Sequence, residues 1–215
     1  MKKLLLTLTL AISSYAHIAN AALISVGPYA VDDASIANQL TSASNIYSSN
    51  SSASAITDQS LSTYLYGSTA QGAGPGDLGL SFGTNIYNGS EADLVMFFIR
   101  GATDTPTPAV DVTIEGTTVN YTASLYTYVD SIDGSTKKYQ TEVNGEFYDV
   151  LTALIELDDF TLETDFINAM QISGLNSDER LAMIAGFNVT PVPLPAPFIL
   201  LLSGLAGLGL FRRRK

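Results

Sequence analysis

Three side chains that often supply chemistry or stability are missing from most of this sequence. The 215 residues include no cysteine and no tryptophan, and the one histidine, His17, lies close to the N-terminus. Beyond that histidine the chain has neither a Ser-His-Asp nor a Cys-His catalytic group. Nearly every ordinary zinc or copper site is excluded as well, which leaves oxygen-ligated metals such as Ca²⁺.

Basic residues are also scarce. Ten Lys and Arg stand against 21 Asp and Glu, and six of the ten lie at the two ends. All 21 acids lie between Asp32 and Glu179, and residues 22–191 include only four basic residues, so residues 22–191 have a formal charge of −17. Nucleic-acid binding is excluded, because it needs clustered Lys and Arg at the phosphates. The acidity suits solubility, divalent cations or a salty medium.

The N-terminus has the pattern of a secretory signal peptide. Lys2-Lys3 is followed by the apolar stretch Leu4–Ile12 and by an A-x-A cleavage site formed by Ala19 and Ala21. We expect residues 1–21 to be removed by signal peptidase after export through the Sec translocon, with cleavage after Ala22 as the alternative. An uncleaved anchor is disfavoured, because the apolar stretch is short.

The last 24 residues combine three features. A proline box consists of Val192, Pro193, Leu194, Pro195 and Ala196. An uncharged apolar run then extends to Phe211 and is followed by Arg212, Arg213, Arg214 and Lys215. As a helix, Ala196–Phe211 would be about 24 Å long, somewhat shorter than the roughly 30 Å hydrocarbon core of a bilayer. The four cations would stop transfer and stay cytoplasmic.

This order resembles the PEP-CTERM class of bacterial sorting signals, in its VPLPA-type variant. The resemblance implies recognition and cleavage of residues 192–215 by an exosortase-like membrane protease. It also implies that the C-terminal helix holds the protein in the inner membrane before it reaches the cell surface, extracellular matrix or biofilm. The alternative is a buried C-terminal helix with a basic cap, which the lack of amphipathic character disfavours.

Residues 22–191 suffice for one core of ordinary domain size, which must hold without disulfides. Their pattern is all-β. We predict strands at Leu78–Phe82 (ended by Gly83), Asp93–Arg100, Val110–Ile114, Val119–Val129, Lys138–Val143, Glu146–Leu157 and Arg180–Asn188. Asp133-Gly134 and Asn144-Gly145 indicate hairpin turns, and residues 38–57 an exposed loop or weak strand. Short strands separated by turns favour a jelly-roll-like β-sandwich.

Part of this stretch resembles a second group of proteins. Phe82-Gly83, Asn88-Gly89 and Asp93 follow one another as in the galactose-binding-like jelly-roll domains of many exported PEP-CTERM proteins. That resemblance implies a jelly roll, and it favours a strand at Asp165–Ser173, whose own pattern also fits a short helix.

Acidic pairs are the candidate metal ligands. Asp32-Asp33 and Asp178-Glu179 lie near the two ends of the domain, and the first and last strands of sandwiches are often neighbours. They therefore form a speculative Ca²⁺ site, and no cofactor is expected apart from this candidate. Asp130 and Asp133 lie in a stretch that lacks the EF-hand pattern and is better explained as a hairpin tip.

Three functions remain open, and the preferred one is not enzymatic. We expect an exported cell-surface or matrix protein associated with exopolysaccharide. The first alternative is an adhesin module that binds carbohydrate or Ca²⁺, since Tyr64/Tyr66 and Tyr126/Tyr128 would each share a strand face for sugar stacking or core filling. The second is a polysaccharide hydrolase that uses two carboxylates, although no recognisable motif contains such a pair.

Overall fold

The structure is a computed structural model that describes residues 23–26, 29–49, 56–57, 60–68, 74–101, 107–129 and 135–187. The domain forms one compact unit, Ala22–Thr190. The predicted cleavage residues Ala19 and Ala21, the box 192–196, the cations 212–215 and the Asp133-Gly134 turn lie outside the described residues. Within the described ranges, no helix is both long and apolar enough to cross a membrane.

Strands dominate the described residues, together with short 3₁₀ turns at Asp33–Ser35 and Leu157–Asp159. The sixteen strands are, in chain order, β1 Leu23–Val26, β2 Tyr29–Asp32, β3 Ala37–Ser44, β4 Ile46–Ser48, β5 Leu65–Gly67, β6 Gly76–Tyr87, β7 Leu94–Arg100, β8 Ala109–Ile114, β9 Thr117–Thr122, β10 Ser124–Leu125, β11 Thr127–Val129, β12 Thr136–Lys138, β13 Gln140–Val143, β14 Glu146–Ile155, β15 Phe166–Leu175 and β16 Arg180–Gly186.

Most strands belong to two antiparallel sheets. One has seven strands in the order β10-β14-β7-β16-β5-β4, with β13 also paired to β14, and the other has five in the order β3-β6-β15-β8-β9. β1 with β2 and β11 with β12 form two further pairs. The predicted all-β class is confirmed, and the two large sheets with a shared core are consistent with a sandwich.

The main core lies between these two sheets. Leu94, Met96 and Phe98 of β7 belong to the same buried cluster as Leu80 of β6 and Ile172 of β15. Because successive side chains of a strand point to opposite faces, these residues mark the inner face of each sheet. Each such side chain stabilises the fold by about 2 kcal/mol through removal from water.

The outer face of the seven-stranded sheet is buried as well. Val95, Phe97 and Ile99, the alternate residues of β7, form a second cluster. Tyr29 covers it, with its ring centroid 5.7 Å from that of Phe97 and 5.4 Å from that of Phe187. A strand buried on both faces needs no polar alternation, which explains the continuous apolar run in the sequence.

Several predicted elements are confirmed. The runs 93–100, 110–114 and 180–188 contain β7, β8 and β16, and residues 165–173 fall on β15 and form no helix. Asn144-Gly145 is a hairpin turn with φ of 53° and 85°. Glycine tolerates this left-handed conformation, and asparagine adopts it more readily than most residues.

Several strand boundaries differ from those predicted. The run 138–143 begins on the last residue of β12 and contains β13, and the run 146–157 extends past the end of β14 into the second 3₁₀ turn. The run 119–129 is divided among β9, β10 and β11, since β9 pairs with β8 in one sheet and β10 with β14 in the other. The chain changes sheets at buried Ala123, which a two-residue rhythm cannot reveal. Gly83 does not end its strand, and β6 continues to Tyr87. A β-carbon at Gly83 would lie 2.5 Å from Asn38 Nδ2, so glycine permits that close approach.

The weakly patterned segment 38–57 includes β3 and β4, of which β3 is mostly exposed. Both are the outermost strands of their sheets in the described structure. An edge position needs little apolar content, which accounts for the weak sequence signal.

Candidate functional site

The structure does not bring the two acidic pairs of the speculative Ca²⁺ site together. Ile36, just after Asp32-Asp33, bridges to Ala185 near the end of β16, whereas Asp178-Glu179 precede the start of that strand. The antiparallel bridge places Asp32-Asp33 beyond the far end of β16, and the six residues from Glu179 to Ala185 span about 20 Å. No group of three or more potential ligands that could hold a metal occurs within the described ranges.

Glu179 instead ties a turn to a neighbouring strand. The residue is 5% exposed, and its Oε1 accepts a hydrogen bond from the backbone N–H of Ala109 at 3.2 Å. Its Oε2 accepts bonds from Asn176, from the backbone N–H at 2.7 Å and from Nδ2 at 3.3 Å. This carboxylate satisfies partly buried donors of the β15–β16 connection and of β8, which is a structural role.

Asp93 has a similar role at the opposite end of the sheet. It is 1% exposed, and its Oδ1 accepts a hydrogen bond from the N–H of Gly89 at 2.7 Å. Its Oδ2 accepts another from the N–H of Leu157 at 2.8 Å. The sequence marked Asp93 as the start of a strand, but not as the residue that joins two loops.

Asp149 forms an ionic cluster that the sequence analysis missed. Lys138 Nζ and Gln140 Nε2 donate to its two oxygens, each at 2.9 Å, and Arg100 Nη2 lies 3.7 Å away. Burial alone would raise the pKa of this carboxyl. The hydrogen bonds from Lys138 and Gln140 and both positive charges outweigh that effect and hold the pKa below its ordinary value. The partners come from separate strands, so residue spacing gave no signal.

Tyrosines form a row on the outer face of the seven-stranded sheet. Tyr47 of β4 pairs with Tyr66 of β5, and their rings stack with centroids 6.0 Å apart. Leu65 pairs with Leu181 in antiparallel strands. Arg180, the residue before Leu181, therefore lies beside Tyr66, the residue after Leu65. Tyr47 is 51% exposed, so the outer end of this row is accessible to a ligand.

Two aromatic rings flank the inner end of the row. The Arg180 guanidinium carbon lies 5.5 Å from the ring centroid of Tyr64 and 5.3 Å from that of Tyr148. A cation over an aromatic face gains about 1 kcal/mol at a partly exposed site. Burial raises the pKa of the Tyr148 phenol above its ordinary value, although Arg180 opposes the shift, and this ring therefore stays neutral at physiological pH.

A cavity of about 420 Å³ opens beside the tyrosine row. Its lining consists of Ser48, Ser49, Tyr64, Tyr66, Ser177, Asp178 and Arg180. The structure thus joins the Tyr64/Tyr66 pair and Asp178, which the sequence marked for two different functions. We call this cavity, together with Tyr47 that stacks on its lining residue Tyr66, the tyrosine pocket.

Tyr126, of the second tyrosine pair, packs against other aromatic rings. The ring of Tyr126 lies 5.7 Å from Tyr29 and 5.7 Å from Tyr139, in the layer that covers the outer face of the seven-stranded sheet. Tyr126 is half-buried and packs against two rings of that layer. The side chain of Tyr128 lies outside the described structure.

The tyrosine pocket combines flat aromatic surface with hydroxyl, carboxylate and guanidinium groups. Aromatic rings stack on the apolar faces of sugar rings, while the polar groups can donate to and accept from sugar hydroxyls. Comparisons with known proteins add no assignment: no family model matches the chain, and no curated protein or solved structure matches it.

Proposed function

We propose that this chain is an exported cell-surface or extracellular-matrix protein that is sorted through its C-terminal tail. The observation that carries the proposal is the position of the compact unit, Ala22–Thr190. It lies between a signal-like segment, residues 1–21, and the tail 192–215 with its proline box and terminal cations. Signal peptidase would act at the first boundary and an exosortase-like protease at the second.

The same proposal gives the domain a jelly-roll-like fold. Its support is the path of the chain, which passes from one large sheet to the other between β6 and β7, β7 and β8, β14 and β15, and β15 and β16. Such alternation is typical of double-sheet jelly rolls. In this role the domain is a matrix component associated with exopolysaccharide.

Intact-mass analysis of the exported protein tests the sorting proposal. In a host with an exosortase-like system, the mature protein should begin at Ala22 or Leu23 and end within residues 192–196. Replacement of Arg212, Arg213, Arg214 and Lys215 by glutamine should abolish trimming at the C-terminus. Lys137→Gln changes charge within the domain and should leave trimming unchanged. A full-length protein found untrimmed and soluble inside the cell would refute the proposal.

A second candidate function, binding of carbohydrate as an adhesin, is favoured by the tyrosine pocket. Tyr47→Ala and Tyr66→Ala should each weaken retention of the protein on polysaccharide, because each removes a stacking ring. Phe147→Ala is the matched control, since Phe147 is 65% exposed and does not line the pocket. Equal retention of all three variants and the parent protein would argue against this function.

A further inference from the structure

The tyrosine pocket contains one negative and one positive side chain. Asp178 and Arg180 are two residues apart and both line the cavity, whose other described lining residues are serines and tyrosines. Asp178 is exposed, and its Oδ1 accepts a weak hydrogen bond from Ser177 Oγ at 3.4 Å. A ligand that enters the pocket therefore meets a carboxylate and a guanidinium together.

The two charged groups differ in how firmly they are placed. Arg180 begins a central strand and lies between the rings of Tyr64 and Tyr148, which limits its rotation. Asp178 lies in the turn before that strand and reaches solvent. Arg180 thus provides a fixed donor, and Asp178 adds an accessible negative charge at the entrance.

The positions of Arg180 and Asp178 give neutral and acidic sugars different interaction energies in the pocket. A sugar hydroxyl can accept a hydrogen bond from Arg180 and also donate one to Asp178. An ionised uronic acid carboxylate only accepts, so it gains from Arg180 but is repelled by Asp178. The formal charge of −17 on the domain adds to that repulsion of a polyanion.

We propose that the tyrosine pocket binds neutral sugar units and that Asp178 excludes sugars that carry carboxylates. This inference rests on the carbohydrate-binding function proposed above. It assigns Asp178 as a residue that determines specificity, and it predicts that neutralising this one side chain opens the pocket to acidic polysaccharide.

The test compares pairs of polymers that differ only at C6, where one carries a carboxylate and the other a neutral primary hydroxyl. Polygalacturonate, polyglucuronate and polymannuronate are each paired with the neutral polymer made by reducing their carboxylates, and binding of the mature exported protein is measured by calorimetry. The parent protein should bind at least one neutral polymer more tightly than its polyuronate. Asp178→Asn should bind that polyuronate about fivefold more tightly, with its affinity for the neutral polymer nearly unchanged.

Two further variants make the result specific. Asp165→Asn removes the same charge from an exposed site outside the pocket and should leave both affinities unchanged. Adding Arg180→Gln to Asp178→Asn should remove the gained affinity for polyuronate.

Each adverse result has a distinct meaning. If the parent protein binds a neutral polymer but Asp178→Asn gains nothing, or gains no more than Asp165→Asn, the role of Asp178 is refuted and carbohydrate binding stands. Equal affinity of the parent for a polyuronate and its reduced form refutes it too. Failure to bind any of the six polymers refutes the carbohydrate-binding function itself.

Discussion

The Asp93 carboxylate and the backbone N–H of Leu157, 64 residues apart in sequence, are joined by a hydrogen bond of 2.8 Å. The other Asp93 oxygen accepts from Gly89, so one side chain holds two connections at the same end of the seven-stranded sheet. Both donors are backbone groups that need a partner when shielded from water.

Asp93→Ala should lower the free energy of unfolding by about 3 kcal/mol, because two N–H groups lose a charged acceptor. Urea denaturation of the parent and variant measures the loss. Asp165→Ala removes an exposed acid and should change stability by less than about 0.5 kcal/mol. Similar losses for the two variants would contradict the role given to Asp93.

Sequence patterns predicted the fold where burial and periodicity agree. The apolar content of β7 reflects burial on both faces, and Asn144-Gly145 has the conformation that its turn requires. The pattern of alternating apolar and polar residues did not reveal the break at Ala123. The chain passes there from one sheet to the other, and the alternation continues on both sides of the break. The pattern also failed at Gly83, where contact with Asn38 depends on strand pairing.

The ionic cluster around Asp149 should make stability depend on acid pH. Its folded-state pKa lies below the ordinary value of 3.8, so the unfolded chain takes up the proton first as pH falls. The stabilisation is therefore complete above that ordinary value and is lost as pH falls through the lower folded-state pKa.

Asp149→Asn isolates this contribution. At neutral pH it should lower the free energy of unfolding by about 1 kcal/mol, a modest value because the Lys138 partner is half exposed and screened by solvent. Urea titrations at a series of pH values should show the difference from the parent shrinking as the carboxyl is protonated. A difference that is constant from neutral to strongly acidic pH would show that charge is not the cause.

Tyr29 tests the second core. Its ring contacts those of Phe97, Phe187 and Tyr126, so Tyr29→Ala should lower the free energy of unfolding by about 3 kcal/mol. Tyr47→Ala removes the same side chain from an exposed position and should have a much smaller effect. Thermal unfolding of both variants gives the comparison. Equal decreases in the free energy of unfolding for the two variants would mean that packing of Tyr29 on the outer face of β7 does not stabilise the fold.

The candidate site was only partly predictable. The spacing of Tyr64 and Tyr66 predicts that they share a strand face. Asp178 was predicted only as a Ca²⁺ ligand, because it forms an acidic pair with Glu179. The meeting of both tyrosines with Asp178 in one pocket depends on the pairing of β5 with β16, which no local pattern encodes. Arg180 was visible as one of few cations, but its place between Tyr64 and Tyr148 required the order of strands.

Gly67 links the pocket to the packing beneath it. A β-carbon there would overlap the Leu175 carbonyl oxygen at the end of β15, and the Gly67 N–H donates to the Asn176 carbonyl oxygen at 3.1 Å. Gly67→Ala must therefore displace β5, the strand that carries Tyr66. We expect a loss of about 2 kcal/mol in the free energy of unfolding together with weaker polysaccharide binding.

Gly74→Ala is the control, because its β-carbon would meet only Asn45 Nδ2, at an ordinary 3.8 Å. Urea denaturation and polysaccharide retention, measured below the unfolding transition, separate the two effects of Gly67→Ala. Weaker retention by the folded variant means that the position of β5 sets the geometry of the pocket. Unchanged retention despite lower stability would show that Tyr66 keeps its place without close packing of β5 on β15, and would contradict a role of Gly67 in positioning the pocket.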